Sequence, residues 1–449
     1  MKPKKLDQYK RILRFVAALF VITSVAFAFF MIWTRYYNLQ IIFPFYYKGH
    51  WVVMVIYVIL LVIFFYIYGG LKFGYLKPIS VILSHIISVI CANILMYLQI
   101  SLLAAKLVDI RPFIFLTTID FLIIVLYSFI ITKVFAKLFP PRKLFLVYEE
   151  YEPEKMLRKM RVRNDRYEIA EVRNIHQLTW EEFVVFAKKY DAVLIYDIHS
   201  ELRNKILKYC YSESIRTYAT SKITDILVKG AENIHLFDTP LLLFRNSGLT
   251  FEQKFVKRTM DIIVSVIILL LSSPIMLLVA LAIKLYDGGP VMFRQERCTI
   301  NGKVFKIHKF RSMIVDAEKE GKSIPATDQD PRITPVGRFI RKTRLDELPQ
   351  MIDILNGNMS LVGPRPERIE HVEKYTEEIS EFEYRLKVKG GLTGYAQIYG
   401  KYNTTPYDKL KLDLMYIQNY SLLLDIRLLF MTVKIMFMKE STEGFEEKQ

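Results

Sequence analysis

Four apolar runs crowd the first third of the chain: Phe15 to Trp33, Trp51 to Leu71, Pro78 to Ala105 and Phe113 to Thr132. Each approaches or exceeds the roughly 20 residues that a helix needs to cross hydrocarbon. In lipid every backbone polar group must be satisfied within the segment, so runs of this kind fold as helices. The charges between them set a direction. Lys2, Lys4, Lys5, Lys10, Arg11 and Arg14 precede the first run, Lys72 and Lys77 separate the second from the third, and Lys133, Lys137, Arg142 and Lys143 follow the fourth. The alternate loops hold only Arg35, Lys48, Lys106 and Arg111. Positive-inside counting therefore predicts an N-terminal four-helix transmembrane bundle over residues 1–140 with both ends in the cytoplasm.

The first run is too long for a signal-peptide core and lacks a small-residue cleavage site, so it reads as a retained span. His85 and Asp120 lie inside spans, where an ionisable group is a functional candidate. Their different depths favour hydrogen bonds between helices over a proton path. The chain is 52% hydrophobic and carries a formal net charge of +17. Apolar bulk with basic excess suits membrane lipids, phosphorylated ligands, or both. No recognition helix or base-stacking motif accompanies the charge, which argues against nucleic acid as a partner. Cys91, Cys210 and Cys298 are an odd, scattered set without metal-type spacing, as expected in a reducing compartment.

Composition turns polar over residues 141–250. Leu144 to Tyr148 and Ala192 to Tyr196 read as buried strands, with helical patterns at Trp180 to Lys189 and Leu202 to Cys210. Such alternation predicts a Rossmann-like α/β domain. A dinucleotide site would need a glycine-rich turn after the first strand. Glu149, Glu150, Tyr151 and Glu152 stand there instead. Without that fingerprint the domain reads as structural or regulatory.

Residues 251–449 open on Lys254, Lys257 and Arg258, followed by an apolar stretch from Met260 to Tyr286. It is long enough to span. Ser272, Ser273 and Pro274 interrupt its middle, and proline removes a donor and kinks a helix. A break at Ser273 and Pro274 predicts a re-entrant hairpin that leaves the following α+β domain on the side it started from. Three polar blocks follow. Lys303, Lys306, Lys309 and Arg311 form a basic edge suited to a pyrophosphate, or equally a solvated face. Leu348, Met351, Ile352 and Leu355 recur at helical spacing, which predicts a helix starting near Asp346 with Pro349 in its first turn. Asp346 and Glu347 would then sit at the positive end of a helix dipole, ionised, able to act as nucleophile or to hold a divalent cation. Ordinary capping explains an isolated Asp-Glu pair as well. Arg341 and Arg344 stand near enough in sequence to clamp a phosphate. The third block, Asn358-Met-Ser-Leu-Val-Gly-Pro-Arg-Pro366 and Lys389-Gly-Gly-Leu-Thr-Gly-Tyr-Ala-Gln397, presents Arg365 on a tight turn and offers Gly390, Gly391 and Gly394 for close backbone approach.

In this order, the blocks from Lys257 onward resemble the bacterial sugar transferase family, the polyprenyl-phosphate phosphoglycosyl transferases. The preceding spans and α/β region resemble its larger polytopic members, the hexose-1-phosphate transferases of capsule and exopolysaccharide synthesis. The resemblance implies an enzyme of the bacterial cytoplasmic (inner) membrane, its catalytic domain facing the cytoplasm. It would move hexose 1-phosphate from a UDP-sugar to undecaprenyl phosphate, with Mg2+ as cofactor. Asp346 would be the nucleophile, Glu347 its partner in metal or proton handling, and Arg341, Arg365, Lys309 and Arg311 phosphate ligands. Lys257 and Arg258 would meet lipid headgroups. A homodimer and contacts with polysaccharide-assembly proteins are compatible with the extra domains, and the sugar is left open with a lean toward a simple hexose. Three positions depart from the family pattern: Thr299 for a usual Gly, Asn358 for a common Asp, and Gly390 for a common Pro. Two other classes stand beside this reading. A nucleotide-sugar oxidoreductase or epimerase would need the missing fingerprint, and a non-catalytic scaffold would not need the acid, arginine and glycine set.

Overall fold

The computed structural model describes residues 7–244, 248–315, 317, 330–401 and 404–438. Lys2, Lys4 and Lys5 of the orientation count, and the C-terminal tail from Lys439, lie outside the described residues. Helices α1 (Lys10–Ile32), α2 (Lys48–Tyr68), α3 (Pro78–Leu103) and α4 (Arg111–Leu138) each pack on their sequence neighbour, and α1 also meets α4. α1 runs on through a π turn at Trp33–Tyr37, and α2 stops at Gly69, whose φ of 78° is a left-handed stop that glycine adopts without strain. Proline opens the first turn of both α3 and α4, where its missing donor costs nothing. With the long helix α9 (Phe251–Asp287), five described helices are long and apolar enough to cross a membrane.

Several polar groups inside the first four helices pair with one another. Tyr57 Oη donates to Asn93 Oδ1 at 2.8 Å, and Asn93 Nδ2 donates to Asp120 Oδ2 at 3.2 Å. His85 Nε2 meets the Gly70 carbonyl at 3.1 Å, in a separate set. Asp120 thus takes an interhelix hydrogen bond, as the sequence suggested, while His85 of α3 bonds the turn that follows α2.

Four parallel strands follow, β1 (Arg142–Tyr148), β2 (Tyr167–Asn174), β3 (Ala192–Tyr196) and β4 (Thr217–Ala219), in the order β2-β1-β3-β4. Helices α5 (Glu154–Arg161), α6 (Trp180–Lys189) and α7 (Ser200–Ser212) connect them. The apolar runs of β1 and β3 are buried among Phe183, Ala187, Ile206 and Cys210. At the carboxyl end of β1 the buried Glu149 accepts from His199 N at 2.5 Å and lies 3.0 Å from His199 Nδ1, beside the start of α7. Burial works against the charged carboxylate, but the His199 backbone and ring outweigh it and hold Glu149 below its ordinary range. A carboxylate thus fills the place where a helix N-terminus would receive phosphate.

The chain divides into two compact units, Met1–Thr220 and Ser221–Gln449. Residues 221–250, grouped with the α/β domain on composition, therefore belong with the C-terminal unit. The reason is packing: Ile223 and Ile226 of α8 (Ile223–Lys229) share a core with Leu410 and Leu414 of the C-terminal region. A hairpin of β5 (Glu232–Leu236) and β6 (Thr239–Leu243) precedes α9. The remaining elements are an antiparallel pair, β7 (Met292–Cys298) and β8 (Val304–Phe310), helices α10 (Pro335–Lys342) and α11 (Gln350–Leu355), strand β9 (Ser360–Val362), helix α12 (Ile369–Glu378), strand β10 (Gly391–Thr393), parallel to β9, and helices α13 (Tyr395–Tyr399), α14 (Pro406–Gln418) and α15 (Leu422–Met436).

α9 is one hydrogen-bonded helix through Ser272–Pro274 rather than two separate ones. Pro274 cannot bond the Leu270 carbonyl four residues back, and Ser273 Oγ donates to that carbonyl at 2.9 Å instead. The hydroxyl satisfies the acceptor that proline orphans.

Candidate active site

Strand alternation sorts the basic edge. On β8 the side chains of Phe305, Ile307 and Lys309 share one phase, and the first two are buried in the core. Lys309 therefore points inward, while Lys306 lies outside, 3.9 Å from the exposed Glu296. Lys309 Nζ donates to Glu347 Oε1 at 3.0 Å, and Arg365 Nη2 donates to the same oxygen at 3.0 Å. Residues from three separate blocks of sequence meet on one carboxylate.

The expected helix start is corrected here. Asp346 lies in a 3-10 turn, Leu345–Glu347, entered through Arg344 in the left-handed region at φ 56°, and the α-helix begins only at Gln350. Asp346 therefore precedes the α-helix by a full turn instead of opening it. Burial and the neighbouring Glu347 charge push the Asp346 carboxyl up to about 6, against the opposing pull of Lys309, Arg341 and Arg365. Glu347 goes the other way. Burial would raise it, yet Lys309 and Arg365 hold it ionised well below the carboxylate range. Burial lowers Lys309, and the Glu347 charge raises Arg365. Arg341, in the last turn of α10, acts on Asp346 through its charge.

Three expected ligands are placed elsewhere. Arg311 is buried against the Asp287 carboxylate at the end of α9, and a Cβ on Gly289 would meet its Nη1. It fastens the helix end and is not part of the phosphate set. Lys257 is only 5% exposed, paired with Asp425 at 2.5 Å and bonded to Tyr416 Oη at 3.0 Å. Its ammonium is turned to a buried carboxylate and a buried hydroxyl rather than to the surface. Arg258 donates to the carbonyls of Ile354 and Leu355 at 2.5 and 2.6 Å, capping α11. The glycines, too, serve the chain itself: a Cβ on Gly391 or Gly394 would lie 2.1 Å from the backbone of Gly363.

Several residues that build the site escaped the sequence reading. Asp353, 1% exposed, accepts from His308 N at 2.8 Å and lies 2.7 Å from His308 Nδ1, which fixes the strand next to Lys309. Arg385 donates to the Arg365 carbonyl at 2.8 Å and to Asp413 at 2.9 Å, so it holds the turn that presents Arg365. Asp261 accepts from Ser360 Oγ at 3.0 Å and from Leu361 N at 2.9 Å, tying α9 to β9. A polar residue on an otherwise buried helix face, as Asp353 is beside Met351 and Ile354, is the one signal that could have flagged any of them.

No group of three or more His, Cys, Asp or Glu side chains suited to a metal ion occurs among the described residues. Two adjacent carboxylates are nevertheless a fitting donor set for Mg2+, which uses one or two carboxylates and completes its octahedron with water and substrate phosphates.

Residues 252–439 match the bacterial sugar transferase family. The chain is 41% identical over 256 residues to the UDP-glucose:undecaprenyl-phosphate glucose-1-phosphate transferase of Klebsiella pneumoniae, covering 56% of this chain and 53% of that protein. The Aeromonas hydrophila UDP-N-acetylgalactosamine-undecaprenyl-phosphate N-acetylgalactosaminephosphotransferase is 39% identical over 254 residues, covering 55% and 59%. The Salmonella typhimurium LT2 undecaprenyl-phosphate galactose phosphotransferase is 39% identical over 215 residues, covering 44% of each chain. The chain thus spans about half the length of the curated relatives it matches. The matched segment is the one that brings Lys309, Glu347 and Arg365 together, so the likeness to the bacterial sugar transferase family falls on the part of the chain that carries the candidate site.

Proposed function

We propose that the protein is a phosphoglycosyl transferase that moves a hexose 1-phosphate from a UDP-sugar to undecaprenyl phosphate, the initiating step of capsular or exopolysaccharide synthesis. The convergence of Lys309 and Arg365 on Glu347, next to Asp346, carries this reading. The cations hold Glu347 ionised and face the adjoining nucleophile, where phosphate oxygens need neutralising. Asp346 Oδ attacks the sugar-proximal phosphorus, and the bond from that phosphorus to the bridging oxygen breaks, releasing UMP. The acyl phosphosugar left on Asp346 is then attacked by a phosphate oxygen of undecaprenyl phosphate, which returns the carboxylate and forms the diphospho-sugar. Mg2+ would be held by Asp346 and Glu347 and would offset charge on the diphosphate. Lys309, Arg365 and Arg341 orient the phosphates, and Arg385 keeps Arg365 in place.

The same reading makes α1 to α4 a membrane-spanning bundle, the four-stranded sheet a Rossmann-like domain without a cofactor, and α9 re-entrant at Ser273 and Pro274 in the bacterial inner membrane. Support for re-entry comes from both ends of α9. Arg258 caps α11 beside Asp353, which holds His308, and Asp287 meets Arg311, three residues further along. On a straight helix Arg258 and Asp287 would lie about 43 Å apart. A homodimer, partners in polysaccharide assembly and the cytoplasmic position of the site belong to this proposal as well.

The test is UMP release by the purified chain from a panel of UDP-sugars with undecaprenyl phosphate. Asp346→Asn is expected to abolish it, chelation of divalent cations to suppress it, and the panel to identify the sugar. Wild-type turnover by Asp346→Asn would overturn the assignment.

A further inference from the structure

Within the first unit a cavity of about 900 Å3 lies where α3, α4 and the segments leading into β1, β2, β3 and β4 come together. One wall is hydrocarbon, built by Val81 of α3, Ile131 and Phe135 of α4, and Phe73. The other is ionic. Lys10, Arg142, Arg166, Lys188 and Arg216 line it against Asp165, Asp191 and Glu213. Two of those carboxylates are already matched: Arg163 grips Asp165 at 2.9 Å, and Lys188 lies 2.9 Å from Glu213. Counted together, the lining holds five cations, Lys10, Arg142, Arg166, Lys188 and Arg216, against three carboxylates, a net positive charge. The apolar wall also runs deep. Ser128 lines the cavity ten residues before the end of α4, about 15 Å along the helix axis. Its hydroxyl is buried and finds no hydrogen-bond partner among the described residues.

A cationic rim above a long apolar slot matches one class of molecule, a phosphate carried on a hydrocarbon tail. A nucleotide would leave the slot empty, and a neutral lipid would leave the rim unmatched. We propose that this cavity is a binding site for a phosphate-headed lipid, separate from the Asp346 centre and independent of the transfer reaction. Arg142 and Arg216 hold the phosphate, and the tail lies along α4. The same chemistry is offered by an anionic glycerophospholipid and by a polyprenyl phosphate.

Native mass spectrometry of the full chain in detergent distinguishes them, with phosphatidylglycerol, undecaprenyl phosphate, diacylglycerol and inorganic phosphate as probes. A lipid phosphate is expected to bind about tenfold or more tightly to the wild type than to the Arg142→Glu/Arg216→Glu variant. Thr132→Phe, which fills the slot without touching the rim, should reduce binding to a similar degree and serves where charge reversal disturbs folding. Preference for phosphatidylglycerol identifies a structural membrane lipid, and preference for undecaprenyl phosphate a second store of polyprenyl lipid. Equal binding by wild type and Thr132→Phe would overturn the proposal. So would diacylglycerol or inorganic phosphate binding as well as the lipid phosphates.

Discussion

Thr299, Asn358 and Gly390, the three positions where the sequence reading expected a departure from the family pattern, are joined through Thr299. Thr299 Oγ1 donates to the Asn358 carbonyl at 3.0 Å and accepts from Gly390 N at 3.0 Å. A proline at 390 has no N–H to give, and a glycine at 299 has no hydroxyl to receive one, so the two exchanges fit as a pair. Thr299→Gly should leave the buried Gly390 N–H without a partner and cost about 1–3 kcal/mol. Combining it with Gly390→Pro removes the orphaned donor. Denaturant unfolding of the single and double variants should then show a coupling of at least about 0.5 kcal/mol, and simple additivity would mean that the contact contributes nothing. Asn358 also receives Lys303 Nζ at 3.5 Å, a contact at the edge of hydrogen-bond range.

At the level of elements, the proposed re-entry of α9 would set which side of the membrane the candidate site faces. A hydrophobic helix of 37 residues has length to spare for a crossing. Pro274 weakens its middle, Ser273 covers the freed carbonyl, and the buried contacts of Lys257, Asp261, Val279 and Ile283 lie on either side of that point. Cysteines placed at Lys254 and Tyr286 in a cysteine-free background should be labelled from the same side of intact spheroplasts. Pro274→Ala restores the missing backbone donor and should reduce that common labelling together with activity. Labelling from opposite sides in the parent would exclude re-entry. Strand β8 shows how an element selects among its residues. Period-two alternation sends Lys309 to the site and Lys306 to solvent, so Lys309→Met should lower turnover by at least about tenfold, as loss of a charge-assisted contact does. Lys306→Met should change it little.

For the molecule as a whole, the proposed chemistry is confined to the unit Ser221–Gln449. A chain lacking residues 1–220 but keeping α9 in detergent should retain UMP release, and its complete loss would assign the first unit a part in the reaction. The stability of this unit should depend on acid. Burial would raise Glu367, but Lys409 and Arg385 hold it at about 2, against an ordinary value of 4.5. A depressed carboxylate stabilises the fold above its unfolded value and loses that contribution as pH falls through the folded one, on the order of 3 kcal/mol between pH 4.5 and 2. Asp413, raised by burial, offsets part of this. Melting temperature measured across that range should fall steeply in the wild type and less steeply in Lys409→Met, which removes one of the charges that depress Glu367.

Local physics was enough for much of this. Runs of apolar residues set the helices long enough to cross a membrane, since hydrocarbon length and backbone satisfaction leave few choices. Periodicity placed α6 and β3 within their observed bounds, and the ordered blocks of acids, arginines and glycines made Asp346 and Glu347 candidates. What the residues alone could not settle was the choice of partner among many of like charge. Lys257 finds Asp425 across 168 residues, Arg311 finds Asp287, and Arg365 rather than Arg344 reaches Glu347. Those choices depend on which surfaces the packed core brings together. A charge reads its sign from the chain, but its partner and its ionisation only from the fold around it.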